Sequence, residues 1–88
     1  MANSRQATKR ARQGEHRRQH NAALRSKMRT FIRRVIKAIE SGDRKSAETA
    51  YREAVPHIDD SAGRNIIHAN KAARHKSRLN ARIRAMSQ

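Results

Sequence analysis

The groups in this 88-residue chain that could do chemistry are five histidines, seven carboxylates and 22 lysines and arginines. His16 and His20 stand four apart, the spacing that places two imidazoles on one helical face as a metal pair, and His68 and His75 stand seven apart. Neither pair has a third ligand type beside it, and both sit among cations, so no metal is expected. The carboxylates have simpler duties. Asp43 precedes a helical stretch and suits a cap, Glu48 lies four before Arg52 as a helical ion pair, and Asp59 and Asp60 are expected to be solvated near a helix end. There is no glycine-rich phosphate loop, nucleophile elbow or triad, and no cysteine for thiolate chemistry. The chain is not expected to be an enzyme or to need a cofactor or small-molecule substrate.

The cations remain. Arg25, Arg29, Arg33 and Lys37 recur every four residues, a ladder with about 6 Å between successive Cβ atoms along a helix. Lys27 and Arg34 widen it, and Arg18 joins the same side if the helix reaches back that far. A second ladder, Lys71, Arg74, Arg78 and Arg82, is expected opposite the apolar stripe of its own helix. Rows of long cations grip a phosphate backbone through counterion release without reading bases. Arginine outnumbers lysine 16 to 6, which favours bidentate phosphate contacts. Asn21, Ser26, Thr30, Asn70, Ser77 and Asn80 lie among the cations as candidate partners for phosphates or 2′-hydroxyls. His20, His68 and His75 are placed with them, whereas His57 is read as a surface residue.

A formal net charge of +15 demands a polyanion, since unscreened it destabilises any compact state. With Phe31 and Tyr51 the only aromatics, base-stacking sheets and barrels are excluded, and folded RNA held by shape and backbone fits best. A nucleoid-type DNA-binding protein would carry the same charge and is the alternative. No apolar run approaches the roughly 20 residues that cross a bilayer, and no strong Trp/Phe/Leu face suits a membrane surface. No secretory signal opens the chain, so a cytoplasmic protein is expected.

These ladders need elements to hold them. Charge falls in three blocks: residues 1–37 carry 12 basic and one acidic residue, 38–62 three and six, and 63–88 seven and none. Leu24, Met28, Phe31, Ile32, Val35, Ile36 and Ile39 lie on one helical face. Ser41-Gly42-Asp43 ends that pattern, so residues 24–41 form the core part of helix one. Ala47, Ala50, Tyr51, Ala54, Val55, Ile58 and Ala62 give helix two over 44–62. Pro56 either ends it or kinks it, and the retained register of Ile58 and Ala62 favours a kink. Gly63 and Asn65, both tolerant of positive φ, mark the next break, and helix three spans 66–86 on Ile66, Ala69, Ala72, Ala73, Leu79, Ile83 and Met86. Lys76 completes that stripe with its methylenes.

Residues 1–23 are a basic extension of helix one with nothing large to bury. Gly14 costs about 1 kcal/mol relative to alanine there, so the segment is expected to lack stable helix until bound. The fold class is therefore all-α: a single-domain three-helix bundle, residues 1–88, whose long, basic N-terminal helix extends beyond the core. No homo-oligomer is expected.

The stretches HNAALRSKMRTFIRRV (20–35) and IIHANKAARHKSRLNARI (66–83), with the MANSRQATKRAR start and the ESGD turn at 40–43, resemble the bacterial small-subunit ribosomal protein family numbered twenty. The resemblance covers essentially the whole chain, and NKAARHKSRLN is longer than a merely basic helix would explain. It implies a three-helix bundle that binds directly to 16S ribosomal RNA as an assembly protein of the small subunit. Carried onto matching positions, it places the arginines and lysines of 9–33 (Lys9, Arg10, Arg12, Arg17, Arg18, Arg25, Lys27, Arg29 and Arg33), with His20, Asn21 and Ser26, against the RNA. From the second stretch it adds His68, Asn70, Lys71, Arg74, His75, Lys76 and Arg78, while Thr30 and Arg82 enter from the ladders.

Overall fold

The computed structural model describes residues 2–86, with side chains from Ser4. Three helices follow one another: α1 (Ala2–Glu40), α2 (Arg44–Gly63) and α3 (Ala69–Arg84). Among the described residues there is no strand.

The breaks lie where backbone chemistry allows them. Gly42 takes φ +82°, and its N–H bonds Ile39 O at 3.1 Å, closing α1 with the left-handed residue that glycine adopts most cheaply. Asp43 then caps α2: Oδ1 accepts from Ser46 N at 3.2 Å, and Oδ2 from Ser46 Oγ at 2.8 Å. At the far end Asn65, not Gly63, takes the positive φ (58°). Ile66 N donates to Ser61 O (2.9 Å) and Asn65 N to Ala62 O (3.1 Å), the paired bonds of a Schellman end.

Helix three is shorter than its sequence pattern. Ile66 and Ile67 are buried in the turn before it, and α3 starts at Ala69, behind His68 as the cap. The reason is the Schellman end, which uses both isoleucine amides on Ser61 O and leaves them outside any helical ladder. On α3 the buried residues are Ala72, Leu79 and Ile83, whereas Ala69 and Ala73 face solvent.

α2 passes through Pro56 without ending, in line with the retained register of Ile58 and Ala62. One further expectation changes: α1 is unbroken through Gly14, so the basic segment is helical. Nucleation is the costly step of helix formation, and the packed half of α1 supplies the nucleus from which the extension propagates.

Met28 and Val35 from α1, Ala47, Ala54 and Ile58 from α2, the two loop isoleucines and the three α3 residues make the core. Leu24, Phe31, Ile32, Ile36, Ile39, Tyr51 and Met86 pack around it, half-buried. The central helix is α2, which packs along both α1 and α3, while α1 and α3 touch little. All residues from Ser4 to His20 are exposed. The molecule measures 68 × 21 × 14 Å, with a radius of gyration of 17.9 Å. A compact chain of this length would have about 12 Å.

Candidate nucleic-acid interface

Because α1 and α3 both lean on α2 and not on each other, a groove opens between them. Its floor is Met28, Ile32 and Ile67; its walls are Arg25, Arg29 and Arg33 from α1 and Lys71 and His75 from α3. The space is about 200 Å³, smaller than the clefts that enclose organic ligands. It suits phosphate groups laid along a row of cations. No carboxylate lines it.

The second ladder is expected opposite the apolar stripe of its own helix, and here the structure differs in part. Of that ladder, Lys71, Arg78 and Arg82 share with His75 one flank of α3 beside its apolar stripe, while Arg74 lies opposite the stripe as expected. Lys71 and His75 of that flank line the groove opposite Arg25, Arg29 and Arg33.

Several groups are fixed within it. Arg25 donates from Nη2 to Ile66 O at 3.3 Å, tying α1 to the loop before α3. His68 caps α3, its Nδ1 accepting from Asn70 N at 3.0 Å, which leaves Nε2 as the donor toward solvent. Thr30 Oγ1 donates to Ser26 O at 3.0 Å, an internal helical bond. His75 is held below the usual imidazole value, first by burial and then by the charges of Lys71, Arg78 and Arg74.

The acidic residues turn away from this surface and take partners elsewhere. Glu48 pairs with Arg44 at 3.2 Å instead of with Arg52. Asp60 pairs with Arg64 at 3.0 Å, and Asp59 takes Lys76 Nζ at 2.7 Å, so neither is simply solvated. The last pair draws Lys76 toward α2 and out of the groove. Its hydrogen bond with Asp59 raises the Lys76 pKa above the ordinary value.

Ahead of the bundle, Arg10 and Arg17 stand at seven-residue steps before Leu24 and Phe31, so the line that is apolar inside the bundle turns cationic beyond it. Lys9, Arg12 and His20 occupy the rest of that exposed rod. Arg18 is partly compensated: its Nε donates to Glu15 at 3.0 Å, which lowers the Glu15 pKa. Asn21 is half-buried where the rod meets the bundle.

A profile of the family described as "Ribosomal protein S20" matches residues 2–84. The chain belongs to that family. It is similar to the small ribosomal subunit protein bS20 of Azotobacter vinelandii, with 62% identity over 86 residues, 98% of this chain and 94% of that protein. The bS20 proteins of Nitrosococcus oceani (60% over 87 residues, 99% and 100%) and Methylococcus capsulatus (59% over 87 residues, 99% and 95%) are comparable. The S20 family is one of ribosomal structural proteins and not an enzyme family.

For this S20 family member, the described residues contain no group of three His, Cys, Asp or Glu that could hold a metal. No described helix is long and apolar enough to cross a membrane. Sequence reasoning missed one cluster. His57, read as surface, stacks on Phe31 with centroids 3.9 Å apart and planes 17° apart, and the Arg34 guanidinium lies 4.7 Å from the same ring. Helical spacing puts Phe31 on the core face but carries no information about which α2 residue meets it. Only the register of α2 against α1 decides that.

Proposed function

We propose that this protein binds directly to 16S ribosomal RNA as a structural constituent of the small ribosomal subunit in the cytoplasm, acting as a single copy. The observation that carries the reading is the groove in which Arg25, Arg29 and Arg33 meet Lys71 and His75 with no carboxylate between them. Folding brings like charges together there, and only a polyanion offsets that arrangement.

The mechanism is electrostatic bracing. The groove, extended by Arg74, Arg78 and Arg82 and edged by Ser26, Thr30, His68 and Asn70, takes one stretch of phosphate backbone. The rod takes another: Lys9, Arg10, Arg12, Arg17, Arg18, His20 and Asn21 stand along about 20 Å of helix beyond it. Two segments that repel each other are thus neutralised by one rigid helix. Lys76 contributes by fixing α3 on α2 through Asp59.

Protection mapping of naked 16S rRNA at about 0.2 M salt, with excess duplex DNA as competitor, tests this. Such ionic strength suppresses most nonspecific phosphate binding. The expected result is a few discrete protected segments that survive the competitor. Diffuse protection erased by DNA would reject direct, shape-specific rRNA binding.

A further inference from the structure

On the side of α1 away from the groove, three groups form a column. The His57 imidazole covers one face of Phe31 at 3.9 Å. The Arg34 guanidinium lies over the same ring, 4.7 Å from its centroid, and we infer that it takes the face His57 leaves free. α1 and α2 run antiparallel here, so the next step along their seam passes from His57 toward Leu24 and Lys27 on one side and Ser61 and Arg64 on the other.

A cleft opens at that step. It is lined by Leu24, Lys27, Pro56, His57, Asp60 and Arg64, with Ser61 at its base, and it excludes Phe31. It therefore lies on the side of the imidazole away from Phe31. Its volume of about 490 Å³ falls within the range of small-ligand clefts. Asp60 is already neutralised by Arg64 at 3.0 Å, whereas among the described residues Lys27 has no acidic partner. The cleft thus offers a planar π-face, an apolar side wall in Leu24 and Pro56, and an uncompensated cation at its rim. That is the chemistry of an unpaired nucleotide: base against a ring, phosphate on a cation.

We propose that the open side of His57 takes an unpaired nucleobase of the bound RNA, which extends the Arg34–Phe31–His57 column while Lys27 holds the adjoining phosphate. The inference rests on the reading of the chain as RNA-binding and adds to it a stacking site on the opposite side of α1 from the groove. The column is pre-assembled, because Phe31 already holds the imidazole plane before any ligand arrives, with Arg34 on Phe31. Base stacking of this kind contributes affinity without reading sequence.

The test is an NMR titration of the full chain with single-stranded oligoadenylate and with an abasic ribose-phosphate oligomer of equal length and charge. The expected result is an upfield ring-current shift of the His57 ring protons with oligoadenylate alone. His57→Ala is expected to weaken oligoadenylate binding about fivefold or more, leaving the abasic oligomer unaffected, and His57→Phe is expected to restore it. Equal His57 shifts from both oligomers would overturn the proposal and leave a phosphate site. So would the same shifts from poly-glutamate, which would mark an acidic-peptide site. If Arg29, Arg33 and Lys71 respond while His57 does not, the stacking site falls and RNA binding by the groove stands. If no resonance responds to either oligomer, or to 16S rRNA, both fall together.

Discussion

His75 shows how one side chain can read the state of the interface. It faces Lys71, Arg74 and Arg78 on its own helix and Arg25, Arg29 and Arg33 across the groove, with Met28, Ile32 and Ile67 beneath. Burial and then the charges of Lys71, Arg78 and Arg74 depress its pKa in the free protein, so below the usual 6.5 the unfolded chain takes up a proton that the native chain resists. Its contribution to stability is complete above that value and is lost as pH falls through the lowered native one. On the proposed RNA-binding reading, phosphates in the groove reverse the sign: they favour the imidazolium, so binding is expected to take up a proton and to tighten as pH falls toward the lowered native value. Calorimetric titration in buffers of different ionisation enthalpy reads that uptake directly. His75→Gln should reduce both the uptake and the pH dependence of affinity; an unchanged profile would remove His75 from the interface.

At the scale of the helix, the question is what keeps the exposed half of α1 in register with the packed half. From Ser4 to His20 nothing is buried, and the internal supports are few: Thr8 Oγ1 on Ser4 O at 2.8 Å, and Glu15 held by Arg18 and Gln19. Exposed pairs of this kind contribute little. Gly14 sits in the middle of the rod, and a Cβ there would meet nothing within 4 Å. Gly14→Ala should therefore stabilise the helical extension by about 1 kcal/mol with no steric cost. The readout is ellipticity at 222 nm, which should rise while the melting temperature of the core changes little. A loss of helix would mean that the glycine answers a need for bending that the straight rod does not reveal. The three-helix pattern itself was readable from spacing, as was the Gly42–Asp43 junction. The start of α3 was not, because Ile66 and Ile67 fit a helical stripe as well as they fit a buried turn, and only the bonds to Ser61 O separate the two.

Across the whole molecule, the dominant fact is how the charge is distributed. Among the described residues four carboxylates are in ion pairs, three of them on α2 and one on the rod, and none lines the α1–α3 groove. Affinity for a polyanion should depend steeply on salt. Replacing Arg29 and Arg33 together by glutamine removes about two phosphate contacts. The slope of log K against log salt should then fall by about 1.5 to 2, with the loss uniform across RNA sequences. Filter binding between about 0.05 and 0.3 M salt measures it. An unchanged slope would show that these arginines do not meet phosphate.

Read alone, the sequence determined the class of partner and the kind of fold, because both follow from quantities that need no third dimension. Net charge demands a polyanion, scarcity of large apolar residues demands helices packed on small ones, and periodicity of three and four assigns each helix its buried face. It also marked the rows of cations on α1 and α3, since spacing along one helix is a local property. Tertiary structure decided the relations between helices. The choice of α2 as the central layer set Lys71 and His75 opposite Arg25, Arg29 and Arg33 in one groove, sent Lys76 to Asp59, and brought His57 onto Phe31. Each of these depends on the register and crossing of two elements far apart in the chain, which is set by how Ala54, Ile58 and Val35 interlock in the core. A one-dimensional pattern shows which residues seek burial; the partner each one finds is a property of the packed bundle.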